Sequence, residues 1–313
     1  MGCTEIRIFA REGRPYTGLG EGERSTAITV APLSDFFDLL SPPFRVLSYA
    51  SMPPSLSNRR RKAIAALTRR RARRRTDQTL IEGRRALQSA IDAEAPLVDA
   101  VVTHEALDDA EVQALLDQLS VPVYVTDAST MDQITDVAAP QGLVAIVERR
   151  LIDPATLPGR LGDVGTALLL DGVQDPGNAG TLLRTASWFG AQAVVAGPGT
   201  AGLHGPKVMR AAAGGHWALQ LARADSLGPL LERLRRHGVA LYGADLQGVQ
   251  AHAWTPDQPS ALALGSEAHG LSAAVLDRLD LPVALPGTQD RPAVESLNVA
   301  VAGGILLYEW LGN

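Results

Sequence analysis

Cysteine is almost absent from this 313-residue chain. With Cys3 as the only one, no internal disulfide and no cysteine-rich metal site can form. Aromatic residues make up only 4% of the sequence, so a core must be built mainly from Leu, Val and Ala within a 46% hydrophobic composition. No window approaches the roughly 18 consecutive apolar residues that a membrane helix requires, and no membrane span is expected. The six histidines, at 104, 204, 216, 237, 252 and 269, follow no ligand spacing such as HxxxH. No metal is expected. Neither a P-loop nor the G-x-G-x-x-G dinucleotide fingerprint is present.

What is present is distributed unevenly. Residues 59–75, "RRRKAIAALTRRRARRR", carry ten Arg or Lys and no acid. The other 19 basic residues face all 34 acids, which leaves the rest of the chain near −15 although the whole is only −5. Such asymmetry points to a nucleic-acid contact, because each neutralised phosphate releases counterions. A solvated helix face or a flexible basic arm is the competing reading. Arg59, Arg60, Arg61, Lys62, Arg69 and Arg70 are the candidate RNA contacts here.

The chain divides by composition. Residues 1–54 are polar and rich in Gly and Pro, with no positively charged start followed by an apolar run, and read as a disordered extension rather than a secretory signal. Met52 is an alternative natural start. From Ser55 to about residue 150, a basic helix near 58–75 precedes alternating strands and helices, a small α/β unit. Residues 151–165 have the Pro, Gly and charge content of a linker. From Thr166 to the C-terminus, apolar strands alternate with helices, beginning with the continuous run "TALLLDGV". That pattern predicts a parallel, doubly wound α/β sheet. Ligands of such sheets bind at the carboxyl ends of the strands.

Three unusual stretches fall at those ends. In "DPGNAGTLLRTA" (175–186), Gly177 and Gly180 permit close approach, Asn178 can cap the following helix, and Arg184 on its first turns opposes the helix dipole. Arg184 is read either as a phosphate clamp or as a partner of Asp175. In "LALGSEAHGLS" (262–272), Gly265 and Gly270 bracket Glu267. In "LPGTQDRPAVESLNVAVAGG" (285–304), Ser296 is a suitable helix cap, Asn298 begins an otherwise apolar helix, and the costly pair Gly303–Gly304 implies close packing against a backbone or a partner subunit.

These three motifs, in this order, resemble those of the SpoU (TrmH-like) RNA ribose 2′-O-methyltransferases of the SPOUT superfamily, and the resemblance covers residues 166–313. The segment "SLSNRRRKAIAALTRRRARRRTDQTLIEGRRAL" is similar to the RNA substrate-binding domain often fused in front, itself similar to certain ribosomal proteins. The resemblance implies a C-terminal trefoil knot, which periodicity does not reveal. It also implies a homodimer and S-adenosylmethionine bound mainly by backbone groups at Leu264, Gly265, Leu285 and Leu297. It assigns Asn178, Arg184, Glu267, Ser296 and Asn298 to the polar active site, with Arg184 acting on the ribose 2′-hydroxyl. Lys207 and Arg210, in "KVMRAAAGG", read as further phosphate contacts or as ordinary surface charges. Two departures, the loop 286–295 and Ala212 where many relatives carry serine, are expected to affect substrate fit. The fused front domain implies a ribosomal RNA substrate, and a cytoplasmic location is expected. The alternatives are a tRNA ribose methyltransferase and an RNA-binding protein without catalysis.

Overall fold

The computed structural model describes residues 52–287 and 296–312. The extension expected over 1–54 lies outside these residues up to residue 51, as does most of the loop preceding Ser296. Among the described residues, ten strands form two sheets. The first contains β1 (Gln78–Glu82), β2 (Leu97–Thr103), β3 (Val123–Thr126) and β4 (Leu143–Glu148) in the order β1-β4-β2-β3. Only β2 and β3 run parallel; β4 is antiparallel to both its neighbours. The second contains β5 (Thr166–Asp171), β6 (Ala193–Ala196), β7 (Gln220–Arg223), β8 (Ala240–Gln250), β9 (Ser260–Gly265) and β10 (Leu281–Ala284). Its order is β10-β8-β9-β5-β6-β7, with every pair parallel.

The burial pattern explains why β5 reads as an unbroken apolar run. Leu168 and Leu170 face one core, with helices Pro176–Trp188 and Val299–Leu311, while Ala167 and Leu169 face a second core under helix Gly228–Arg236. A strand covered on both faces has no polar side to alternate with. Residues 151–165, linker-like in composition, join this second core. Ile152 N–H donates to the Leu221 carbonyl at 2.8 Å, and Leu157 and Leu161 are buried.

The single basic helix expected near 58–75 is two helices, Asn58–Ala66 and Arg70–Thr76. Arg69 between them is extended. The break is held by Arg73, whose guanidinium is folded inward and donates to the carbonyls of Leu67 and Thr68, both at 2.7 Å. An arginine that satisfies the carbonyls ending one helix sets the turn into the next.

Helix Pro206–Ala212 lies between the sheets. Its Val208 and Ala212 belong to the core of the second sheet and its Met209 to that of the first. Thr79 of β1 donates to the His204 carbonyl at 2.8 Å beside it.

Candidate functional site

The carboxyl ends of β5 and β9 are tied together before any exposed side chain is considered. Asp171, the buried last residue of β5, accepts a hydrogen bond from Ser272 N–H at 2.7 Å. Thr200, in the loop after β6, donates to the Leu170 carbonyl at 2.7 Å and accepts from Gly172 N–H at 3.1 Å. Sequence reasoning passed over both residues. The available signal was a carboxylate closing an apolar run, since a buried Asp must find donors.

Asp175 caps helix Pro176–Trp188, its Oδ1 accepting from Asn178 N–H at 2.9 Å. The cap expected at Asn178 is therefore Asp175, and this leaves the Asn178 side chain available elsewhere. Its Nδ2 donates to Glu267 Oε1 at 2.5 Å and its Oδ1 accepts from Asn298 Nδ2 at 3.1 Å. Asn298 in turn caps the C-terminal helix, its Oδ1 accepting from Ala300 N–H at 2.9 Å and Val301 N–H at 3.3 Å. The cap expected at Ser296 thus lies two residues later. Ser296 and Leu297 precede it as exposed residues.

The result is one hydrogen-bonded line, Asn298–Asn178–Glu267, that joins all three unusual stretches. Both ends fix its polarity. Helix amides require Asn298 to present its oxygen to them, so its amide group points at Asn178. The Glu267 carboxylate can only accept, so Asn178 must donate to it. Glu267 is exposed on a turn closed by two backbone bonds between Ser266 and Gly270, of 3.0 and 2.9 Å. Gly270 adopts φ +64°, a conformation that favours glycine. At Gly265 a Cβ would collide with the backbone of Gly270 and Leu271, so strand end and turn pack with no room for a side chain.

Arg184 stands apart from this line. It is the ninth residue of the thirteen-residue helix, well past the first turn, so the expected conflict with the helix dipole does not arise. Six positions from Asn178 correspond to about 9 Å of rise and roughly 240° of rotation. Arg184 is exposed and bonds to no described side chain; Asp175 pairs instead with Lys207, at 3.8 Å. One turn further on the same side, Trp188 is 84% exposed.

Several expected RNA contacts are engaged inside the chain. Arg60 Nε donates to the buried Asp99 at 2.6 Å, Arg61 to Gln133, and Arg210 bonds to Asp136 and, at 3.3 Å, to Glu82. Burial raises the carboxyl pKa of Asp99 and Glu82, against the pull of Arg60 and Arg210 respectively. Arg59, Lys62, Arg69, Arg70 and Lys207 are exposed. Ala212 is fully buried where helix Pro206–Ala212 meets Gly180, so it packs helices together and does not face a substrate. Gly303 is close-packed as expected, but against Leu182 and Leu264 of its own chain, whereas Gly304 faces open space.

Comparison with known proteins matches this architecture. Residues 165–308 match the SpoU rRNA Methylase family and residues 58–145 the MRM3-like substrate binding domain. The 23S rRNA (guanosine(2553)-2′-O)-methyltransferase RlmP of Bacillus subtilis is 31% identical over 82% of this chain and 98% of its own. Among solved structures, the SpoU methyltransferase AviRb from Streptomyces viridochromogenes, in complex with the cofactor AdoMet, aligns with a TM-score of 0.73 and 26% identity, covering 81% of this chain and 97% of its own. An AdoMet-bound rRNA methyltransferase from Sinorhizobium meliloti aligns at 0.70 and 28% identity, over 82% and 95%. With both matched segments in order, and the three motifs bonded to one another at the sheet edge, the chain belongs to the SpoU rRNA methylase family.

Proposed function

We propose that the chain is an S-adenosylmethionine-dependent RNA methyltransferase that modifies a ribose 2′-hydroxyl of ribosomal RNA. The observation that carries this reading is the line Asn298–Asn178–Glu267. It holds the three family motifs in one place at the carboxyl edge of a parallel sheet, where ligands of such sheets bind. The names of the relatives above favour ribosomal RNA over tRNA.

The residues around Gly265 fit the cofactor. Leu264, Gly265, Leu285 and Leu297 offer only apolar side chains and backbone groups, suited to a nucleoside held largely through main-chain contacts. When bound, S-adenosylmethionine supplies a methyl group activated by its sulfonium. The chain supplies position and charge. Asn178 and Asn298, locked at both ends, hold the motif loops and orient the hydroxyl, with Ser296 and Glu267 beside them. Arg184 stays protonated, so its part is to grip the adjacent phosphate and stabilise the developing alkoxide. In-line alignment of that oxygen with the methyl carbon is then a positioning problem.

The same reading includes a trefoil knot in the C-terminal segment, a cytoplasmic location, and a division into a ribosomal-protein-like RNA-binding domain (55–150), a connection (151–165) and a methyltransferase domain (166–313). It also includes a homodimer. Val301, Ile305 and Tyr308 line one side of the C-terminal helix at 41–53% exposure, beside the open Gly304. Phe189, next to Trp188, stacks edge-on against Tyr308, with ring centroids 6.1 Å apart. Exposed apolar side chains grouped in this way call for a partner, and Arg184 lies one helical turn before Trp188.

The test is transfer of labelled methyl from S-adenosylmethionine to RNA from a strain lacking the protein, followed by mapping of the labelled ribose. Label at one nucleotide of ribosomal RNA is expected, and label confined to tRNA would refute the substrate assignment. Arg184→Ala should abolish transfer while leaving cofactor affinity nearly intact; a large affinity loss would move Arg184 to the cofactor site.

A further inference from the structure

Away from the Asn178 line, five arginines line one small pocket. Arg70, Arg73 and Arg74 come from the second basic helix, Arg149 from the end of β4 and Arg223 from the end of β7; the buried His204 lies beneath. Among the described residues no acid lines this pocket, although Asp136 and Asp225 partly offset the charge of Arg73 and Arg223 from outside it. Asp77 approaches Arg149 only to 3.7 Å, from an exposed position.

Structural duties account for only part of this charge. Arg73 holds the helix break, and Arg149 donates from one terminal nitrogen to the Arg73 carbonyl at 2.8 Å. Arg149 Nε, however, is buried and donates to no acceptor among the described residues. Among the described residues Arg223 reaches only the Thr200 carbonyl, at 3.5 Å. Arg70 and Arg74 form no ion pair with a described residue. Arg73, Arg149 and Arg223 have their pKa values lowered by burial and by one another or by Arg70 and Arg74. Arginine nevertheless keeps its proton, so the repulsion persists until an anion relieves it. A buried N–H without an acceptor, in a pocket lined by five arginines, describes an oxyanion site.

The position suggests which oxyanion. In the order β9-β5-β6-β7, the carboxyl end of β7 is two strands from that of β5, about 10 Å. The cavity is small and its charged lining is all arginine, which suits a phosphate group. We infer that Arg70, Arg73, Arg74, Arg149 and Arg223 form a pocket for one backbone phosphate of the RNA, a few nucleotides from the ribose presented at the Asn178 line. This inference rests on the RNA methyltransferase reading. It adds Arg149 and Arg223, contributed by both sheets, to the candidate contacts read from the sequence in residues 59–75 and at Lys207 and Arg210.

Arg74→Gln combined with Arg223→Gln removes two charges without touching the Arg73 helix break. Three measurements on the full chain test the pocket: melting temperature with and without inorganic pyrophosphate, filter binding of unmethylated ribosomal RNA against salt, and S-adenosylmethionine affinity. Pyrophosphate is expected to raise the melting temperature of the wild-type chain. The double variant should melt higher than wild type at low salt, because like charges are gone, and should lose the response to pyrophosphate. Its RNA affinity should fall about tenfold, with a salt slope shallower by about 1 and cofactor affinity unchanged. A merely structural role for these arginines would lower the melting temperature. An undiminished pyrophosphate response in the variant would overturn the site. A lost response with unchanged RNA affinity would make it a site for a free anion and overturn the RNA assignment. RNA affinity is read without turnover, so failure of wild-type methyl transfer would sink the enzyme reading while binding still decides on the pocket.

Discussion

The line Asn298–Asn178–Glu267 makes a quantitative claim about how three motifs communicate. Asn178 sits in the middle, so Glu267 and Asn298 influence each other only through it. Glu267→Ala removes a hydrogen bond to a charged acceptor. Such bonds contribute about 1.5–3 kcal/mol, and the exposure of Glu267 argues for the lower end. Asn298→Ser keeps a helix cap but is too short to reach Asn178, which removes a neutral bond of about 1 kcal/mol. Asn178→Ala removes both, about 2.5 kcal/mol together. At about 1.4 kcal/mol per factor of ten, this corresponds to losses of roughly tenfold, fivefold and fiftyfold or more in kcat/KM.

The decisive quantity is the coupling between Glu267→Ala and Asn298→Ser. With Asn178 present, losing either end lets its amide swing away from the other, so the two effects should be non-additive by about 0.5–1 kcal/mol. With Asn178→Ala as background, the coupling should vanish. Single-turnover methyl transfer to ribosomal RNA at saturating S-adenosylmethionine reads this directly. Additivity with Asn178 in place, or equal coupling without it, would refute the idea that the asparagine acts as the joint.

Asp175→Ala should cost about 1 kcal/mol of stability as a lost helix cap, read by urea unfolding; the exposed pair with Lys207 adds little. Ile305→Asp should convert a dimer to a monomer in analytical ultracentrifugation, and a monomeric wild type would remove the premise. Burial pushes the His216 pKa down to about 4. An unfolded histidine takes up its proton near 6.5, so the unfolded chain binds the proton first and stability falls as pH drops from about 6.5 to about 4. The full effect is about 3 kcal/mol. His204, also buried and shifted the same way by burial and by His216, deepens the loss. His216→Gln should flatten that slope in denaturation curves at pH 7 and pH 4.5, and an unchanged slope would assign the acid sensitivity elsewhere.

The parallel sheet was legible because burial on both faces writes itself into sequence as unbroken apolar runs. β7 escaped notice: "QLAR" is a short edge strand with polar ends, and nothing in four residues distinguishes it from a loop. The basic segment misled for a related reason. Composition counts charges but does not say where guanidinium groups turn, and Arg60 and Arg73 turn inward, one to a buried carboxylate and the other to the carbonyls of a helix end. The motif residues were readable as types, but not their division of labour. Asp175 and Asn178 are both good capping residues within the same turn, as are Ser296 and Asn298, and local propensity cannot choose between them. The fold chooses by what lies beyond each helix. With Asp175 as the cap, Asn178 is released toward Glu267, and with Asn298 as the other cap, the spare amide of Asn298 meets Asn178. Two capping decisions, each worth only about 1 kcal/mol locally, thus determine whether the three motifs form a continuous site. This is also why capping propensity alone, applied one helix at a time, assigned both caps to the wrong residue.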